Sequence, residues 1–229
     1  VARARTEIAV SVGASPDEII FTPGGTFGDN LALIGGARRN TRLGRHVVVS
    51  SIEHSAVLNA AKHLEEREDF EVTYVRPDRF GHVSAEDVAA AVREDTTVVS
   101  VMLVNNELGT LQPVAEIAAA VKRKNPKTLV HTDAVQAYTK IKTNVRELCV
   151  DMMSLSGHKI HAFKGIGALY IKKGTKIEPL IFGGGQESGF APGTEPVPGI
   201  MSLAAAAKAA LASESCAATA RLRDRALDG

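Results

Sequence analysis

Short β-branched apolar runs alternate with amphipathic stretches along nearly the whole chain. Residues 18–22 (EIIFT), 46–50 (HVVVS), 70–76, 128–132, 151–155 and 168–171 have the length and composition of strands. Residues 96–104 are almost continuously apolar, as expected of a strand covered on both sheet faces. Between these runs the 3.6-residue period predicts helices over 27–39, 55–67, 84–93 and 113–124. In the second of these helices Val57, Leu58, Ala61 and Leu64 share one face. Ser84, with Asp87 three residues on, opens the third, and Pro113 stands in the first turn of the fourth. Residues 1–12 are also helical in pattern, and Glu7 breaks the apolar part that a signal peptide would need. Residues 204–227 read as one long alanine-rich helix, and 183–199 as the one long irregular segment. Strands alternating with helices predict an α/β domain, with a mostly parallel, doubly wound sheet and helices on both faces.

In open α/β sheets, ligands bind beyond the carboxyl ends of the strands. The residues just after each strand are therefore informative. After EIIFT comes Pro23-Gly24-Gly25-Thr26, and after HVVVSS comes Ile52-Glu53-His54. VVSVMLV is followed by Asn105-Asn106-Glu107, and TLVHT by Asp133-Ala134-Val135-Gln136. DMMSL runs into Ser156-Gly157-His158-Lys159. Five strands thus deliver hydrogen-bonding or ionisable groups to one edge, which points to a polar, heteroatom-rich ligand.

Charge and cysteine content narrow the field. The 229 residues carry a formal net charge of +1, which removes the electrostatic case for nucleic acid or an anionic membrane as main partner. No apolar stretch approaches the length of a bilayer span. The two cysteines, Cys149 and Cys216, form no C-x-x-C or Cys/His cluster, so neither a disulfide framework nor a metal site is expected. Cys149 reads as a small buried apolar residue, and neither cysteine has a sequence neighbour that would activate it. His46, His63 and His82 read as surface or strand-edge positions, and His131 as a satisfied core histidine.

Several of the edge residues have a specific chemistry. Gly24-Gly25-Thr26 before a helix suits a phosphate, because glycines admit close backbone approach and the free N–H groups of the first turn face the anion. The same residues also suit a simple turn with Thr26 as N-cap. No G-x-x-x-x-G-K-[ST] or G-x-G-x-x-G follows the first strand, which argues against a P-loop or a dinucleotide fold. Asp133 ends an apolar strand and needs a cationic partner if buried, for which a protonated ring nitrogen is suitable, although it could also cap a helix. Lys159, beside Ser156 and His158, could serve as an amine nucleophile that forms a Schiff base, or be one more solvated lysine. His54 could stack on a flat ring or simply start a helix. Phosphate cup, carboxylate, ring stacker and amine together describe a pyridoxal phosphate site.

Carried by FTPGGTFGDN (21–30), SIEHSAV (51–57), VNNELG (104–109), HTDAVQA (131–137), SLSGHKIHAFKGIGALYI (154–171), GGGQE (183–187) and PGTEPVP (192–198), the chain resembles the cysteine desulfurases. These belong to the class V, fold type I aminotransferase superfamily, and the likeness is to the group that supplies sulfur for iron–sulfur clusters. The resemblance implies that Lys159 holds the cofactor and acts as base, with Asp133 on the pyridine nitrogen. It implies Gln136 on the ring hydroxyl, His54 stacked on the ring, and Asn106 near the ring hydroxyl and the substrate carboxylate. Gly25, Thr26, Ser156 and His158 would bind the phosphate, and Thr194 the phosphate of a partner subunit, so a homodimer is implied. L-cysteine would be the substrate, a scaffold protein a sulfur acceptor, and the location cytoplasmic.

Departures from the family pattern lie at Pro23–Asn30, at His161, Ala162 and Phe163, and in QESGFAPGT (186–194). In the last of these Ser188 and Ala191 stand where the family carries arginines. The family's persulfide-bearing cysteine loop, and the arginine for the substrate carboxylate, have no match here. The expected organisation is a pyridoxal phosphate-binding large domain over 1–200, lacking part of its N-terminus, and an exit helix over 201–229 toward a small domain. Such a segment is expected to be inactive alone. The altered loops keep two alternatives open: selenocysteine lyase or another class V enzyme, and a non-catalytic cofactor-binding scaffold.

Overall fold

The computed structural model describes residues 1–213 and 215–229. Helix α1 (Ala2–Val12) leads into strand β1 (Ile19–Thr22). Helices α2 (Gly25–Asn30) and α3 (Gly36–Arg39) follow, joined through a π-helical stretch at Leu31–Gly35 into one unbroken helical path. Then come β2 (His46–Ser50), α4 (Ser55–Arg67), β3 (Glu71–Val75), α5 (Ala85–Ala91), β4 (Thr96–Ser100), α6 (Val114–Lys124) and β5 (Leu129–Asp133). The chain continues through α7 (Val145–Leu148), β6 (Met152–Ser156) and β7 (Gly167–Ile171) to α8 (Val197–Leu211) and α9 (Ser215–Asp228). The seven strands form one sheet in the order β1-β7-β6-β5-β4-β2-β3. Only β7 runs antiparallel to its neighbours, so β1, β2, β4, β5 and β6 all point their carboxyl ends to the same edge.

Both faces of the sheet are covered, and alternate residues of each strand belong to different cores. Val48, Val99, Val130 and Met153 pack with α1, α5, α6 and α8 on one side. Val47, Val98, Leu129 and Met152 pack with the α2–α3 path and α4 on the other. Each residue of the central strands is therefore buried, and polar ones such as His131, Thr132 and Ser154 stand where a hydrogen-bond partner is at hand.

The predicted strands are all present, with shorter or shifted ends. The 96–104 run is a strand only to Ser100; beyond it the Val101 and Leu103 N–H groups still donate to His131 O and Asp133 O at 3.2 and 2.9 Å, and Val104 pairs with Leu111. The first predicted helix begins two residues earlier, at Gly25, and Ser84 caps α5 by accepting the Asp87 N–H at 3.0 Å. The predicted 204–227 helix is two helices: α8 starts at Val197, inside the segment read as irregular, and ends at Leu211. Position 214 of that prediction lies outside the described residues. His46, expected at a surface or strand edge, is fully buried, because β2 is interior to the sheet; its ring nitrogens meet Thr96 Oγ1 at 2.8 Å and Thr73 Oγ1 at 2.9 Å. Cys149, expected to be buried, is exposed, since it closes α7 in a left-handed turn at φ 56°.

One buried ion pair ties the edge of the sheet to both ends of the domain. Glu187 accepts two bonds from the Arg5 guanidinium, at 2.6 and 2.7 Å, and one from the Phe21 N–H of edge strand β1 at 2.7 Å. Arg5 also donates to Ile19 O at 2.6 Å and lies over the Phe21 ring, 4.8 Å from its centroid. Removing either partner strands the other charge, and removing Glu187 also leaves the Phe21 N–H of β1 unsatisfied. Glu187→Ala should lower the unfolding free energy by about 3 kcal/mol, read from denaturant midpoints at unchanged m-value.

Candidate active site

The carboxyl edge of the sheet opens into a cavity of about 730 Å3. Gly25, Thr26, His54, Asn106, Asp133, Gln136, Ser156, His158 and Lys159 all line it, so nine of the ten predicted site residues come together. Thr194 does not. It lines a smaller, more apolar cavity of about 270 Å3 with Phe21, Phe27 and Ile200.

Each group reaches the cavity for a local reason. Gly24 precedes α2, and Gly25 is its first residue, so Thr26 lies inside the first turn instead of capping it. A side chain at Gly25 would stand 2.6 Å from Val135 Cγ2 and 3.5 Å from Ser156 Cβ, filling the cradle between α2 and the ends of β5 and β6. The short turn Gly157–Ile160 presents His158 and Lys159 to the cavity, and the Ser156 hydroxyl meets His158 Nδ1 at 2.8 Å. Burial, with Lys159 and Lys164 nearby, holds the His158 imidazole below its usual range. His54 both lines the cavity and caps α4, its Nδ1 accepting the Ala56 N–H at 3.1 Å.

Asp133 sits on the floor, 5% exposed. Its Oδ1 accepts the Val135 N–H at 2.8 Å, and no regular helix follows for it to cap. Burial raises its pKa, offset in part by that bond and by the charges of His54 and Lys159. A carboxylate so placed is suited to a cation entering from the cavity, such as a protonated ring nitrogen. The N-terminal glycines, the Ser156–His158 wall and the Lys159 amine likewise suit the phosphate and aldehyde of a pyridoxal group.

Sequence reading missed two residues here. Asp29 and Glu53 are buried carboxylic acids, and among the described residues Asp29 Oδ1 and Glu53 Oε2 have no hydrogen-bond partner. Glu53 Oε1 accepts from Ser50 Oγ at 2.5 Å and from the Met102 N–H at 2.7 Å. Burial pushes the Glu53 carboxyl up to about 8, against those two bonds. Asp29 could have been found from its position before the wholly apolar run LALIGGA, which only a buried helix carries. His131 is the satisfied core histidine expected, between Ser100 Oγ at 2.8 Å and Ser154 Oγ at 2.9 Å, and burial drops its pKa to about 3. Cys216 differs from expectation: α9 places it in a cavity with Lys140, Lys159, His161 and Arg223, so it does have cationic neighbours. Among the described residues no cluster could hold a metal ion, and no helix is long and apolar enough to cross a membrane.

The comparisons with known proteins agree with this geometry. The aminotransferase class-V family profile matches residues 1–227. A cysteine desulfurase IscS of Methanosarcina thermophila is 46% identical over 228 residues, 99% of this chain and 56% of that protein. A solved NifS-like protein superposes with a TM-score of 0.94 at 42% identity, covering 99% of this chain and 62% of the other. SspA in complex with cysteine does so at 0.85 and 43%, covering 90% and 59%. The chain thus spans a little over half the length of these relatives.

The raised Glu53 pKa makes stability depend on pH. An acid whose folded pKa lies above its unfolded value holds a proton that the unfolded chain releases, so stability falls as pH rises from about 4.5 to about 8. Glu53→Gln keeps the acceptor for Ser50 and Met102 and removes the titration. The variant should therefore lose less stability than the wild type across that window and be the more stable of the two at its upper end, as measured by denaturant midpoints at stepped pH.

Proposed function

The chain belongs to the class-V aminotransferase family, and we propose that its cavity binds pyridoxal phosphate for removal of sulfur from L-cysteine by the whole protein. The observation that carries this reading is the convergence of Asp133, Lys159, His54 and the Gly25–Thr26 turn on one cavity, in a chain 46% identical to a cysteine desulfurase. On this reading residues 1–200 are the cofactor-binding domain and 201–229 lead toward a further one.

Bound there, the pyridoxal group supplies an electron sink that makes the substrate α-proton acidic. Lys159 Nζ would be the anchoring amine and the base for that proton. Asp133 would keep the ring nitrogen protonated, Gln136 and Asn106 would bond on the ring hydroxyl side, and His54 would cover the ring. Thr26, Ser156 and His158 would hold the phosphate, with Gly25 admitting its close approach. The net change would pass the substrate sulfur to an acceptor thiolate, breaking the C–S bond and forming an S–S bond, while the substrate carbon keeps the electron pair and takes a proton to give alanine. Neither Cys149, exposed beside α7, nor Cys216, on α9, lines the cofactor cavity, so the accepting thiol is assigned to a part of the whole protein outside these residues.

A homodimer fits the surface. Ile181, which lines the cavity that holds Thr194, is exposed, as are Phe163, Phe182 and Met201, and a second copy would cover such residues while receiving Thr194 at its phosphate. A scaffold protein would accept the sulfur, and a cytoplasmic location belongs to the same reading. Ser188 and Ala191, in place of cationic side chains, favour a second reading with selenocysteine or another class V substrate.

The purified chain with pyridoxal phosphate should show a visible absorption band that Lys159→Ala abolishes, and borohydride should attach the pyridoxyl group to Lys159. Attachment to another lysine, or to none, would sink the assignment. Asp133→Asn should weaken cofactor binding by about 2 kcal/mol or more. Sulfide release from cysteine by the chain alone, lost in Cys216→Ser, would place the thiol on α9 instead.

A further inference from the structure

One sheet face changes character in two-residue steps toward the cavity. Val98, Leu129 and Met152 are apolar and lie under the α2–α3 path. Two residues on, Ser100, His131 and Ser154 form a hydrogen-bonded row across β4, β5 and β6. Two further, Met102, Asp133 and Ser156 line the cavity. Asp29 of α2 closes the middle row: 1% exposed, it has Oδ1 3.7 Å from His131 Nε2. The helix lies close at this point, since a side chain at Gly28 would stand 3.0 Å from Ser154 Oγ.

The distance from Asp29 to His131 is that of an ion pair, but the chemistry is not. His131 is fully buried, with both ring nitrogens already on serine hydroxyls, and burial keeps it neutral. Burial raises the Asp29 carboxyl well above its usual range, and Asp133 and Glu53 push the same way; the Ser154 hydroxyl offsets only part of this. Asp133 differs, because it has the Val135 N–H and faces His54 and Lys159. Where buried carboxyls compete, the proton goes to the one with the fewest donors and the least positive charge near it.

We propose that Asp29 is a positioning residue: held as a neutral acid on the Ser100–His131–Ser154 row, it leaves Asp133 as the carboxylate that faces the pyridine nitrogen. This rests on the pyridoxal phosphate reading for its purpose, but its protonation state can be tested without cofactor. An ionised Asp29 would repel the charge on Asp133 and raise its affinity for a proton, in competition with the ring nitrogen. The neutral acid avoids that competition while still filling the space between α2 and the sheet.

The experiment is carboxyl-13C NMR on the full chain labelled at aspartate, which excludes Glu53 from view. One aspartate signal should hold the neutral-acid position at neutral pH, vanish in Asp29→Asn and persist in Asp133→Asn. A signal that instead persists in Asp29→Asn and vanishes in Asp133→Asn, or no acid signal at all, overturns the proposal. In the cofactor-loaded chain, Asp29→Asn should keep the wild-type pH profile of the visible absorption band, whereas Asp29→Ala shifts it. If both variants shift it, a charge at Asp29 is needed, and if neither does, Asp29 has no influence on Asp133; either result refutes the assignment. Failure to bind pyridoxal phosphate would overturn the functional reading and leave the NMR result to decide the proton's place.

Discussion

Three carboxyl groups, Asp29, Glu53 and Asp133, are folded beneath the carboxyl edge of the sheet, and among the described residues no arginine or lysine is buried beside them. Isolated charges there would each cost several kcal/mol. The fold meets this constraint unequally. Glu53 is given a hydroxyl and a backbone N–H, Asp29 is left to keep its proton, and Asp133 is turned toward a cavity from which a cation can come. The site is polarised before any ligand arrives, because the strands and α2 set it and no flexible loop must order first.

The same constraint explains the shape around it. Close approach of α2 to β5 and β6 requires Gly25 and Gly28, since larger residues would strike Val135 and Ser154. That approach dries the floor and raises the carboxyl pKa values. It also brings the first turn of α2, Gly25 and Thr26, into the lining of the cavity. The glycine turn and the proton-holding floor are thus two results of one packing arrangement.

How much of this was legible in the sequence depends on which signals are local. Strand–helix alternation is local, and so are the polar residues after each strand; together they located nine residues of one cavity. Burial set by strand order is not local. His46 opens a run that reads equally well as an edge or an interior strand, and only its place between β3 and β4 buries it. Glu53 stands between Ile52 and His54 in a turn that looks exposed, and its partners are Ser50, at the end of β2, and Met102, in the segment just after β4. Cys149 is apolar in context, but a left-handed turn, invisible to periodicity, carries it to the surface. The break between α8 and α9 falls next to Ser213 and Ser215, and serines, which favour a new helix start, are a weak signal inside an alanine-rich stretch.

The 183–196 segment takes its shape from residues far away in sequence. Glu187 and Ser188 both adopt left-handed backbone conformations, at φ 49° and 57°, which cost non-glycine residues about 1–2 kcal/mol each. The strain is held by the bonds of Glu187 to Arg5 and Phe21, so the geometry of the loop depends on α1 and β1, far away in sequence. The arginines expected at 188 and 191 are replaced by serine and alanine, and Ala191 packs against an apolar cluster instead. Glu187 is bound by Arg5 and by the Phe21 N–H. The segment is thus held by one buried carboxylate and one apolar contact, so its shape is set without the two positive charges that the resemblance leads one to expect.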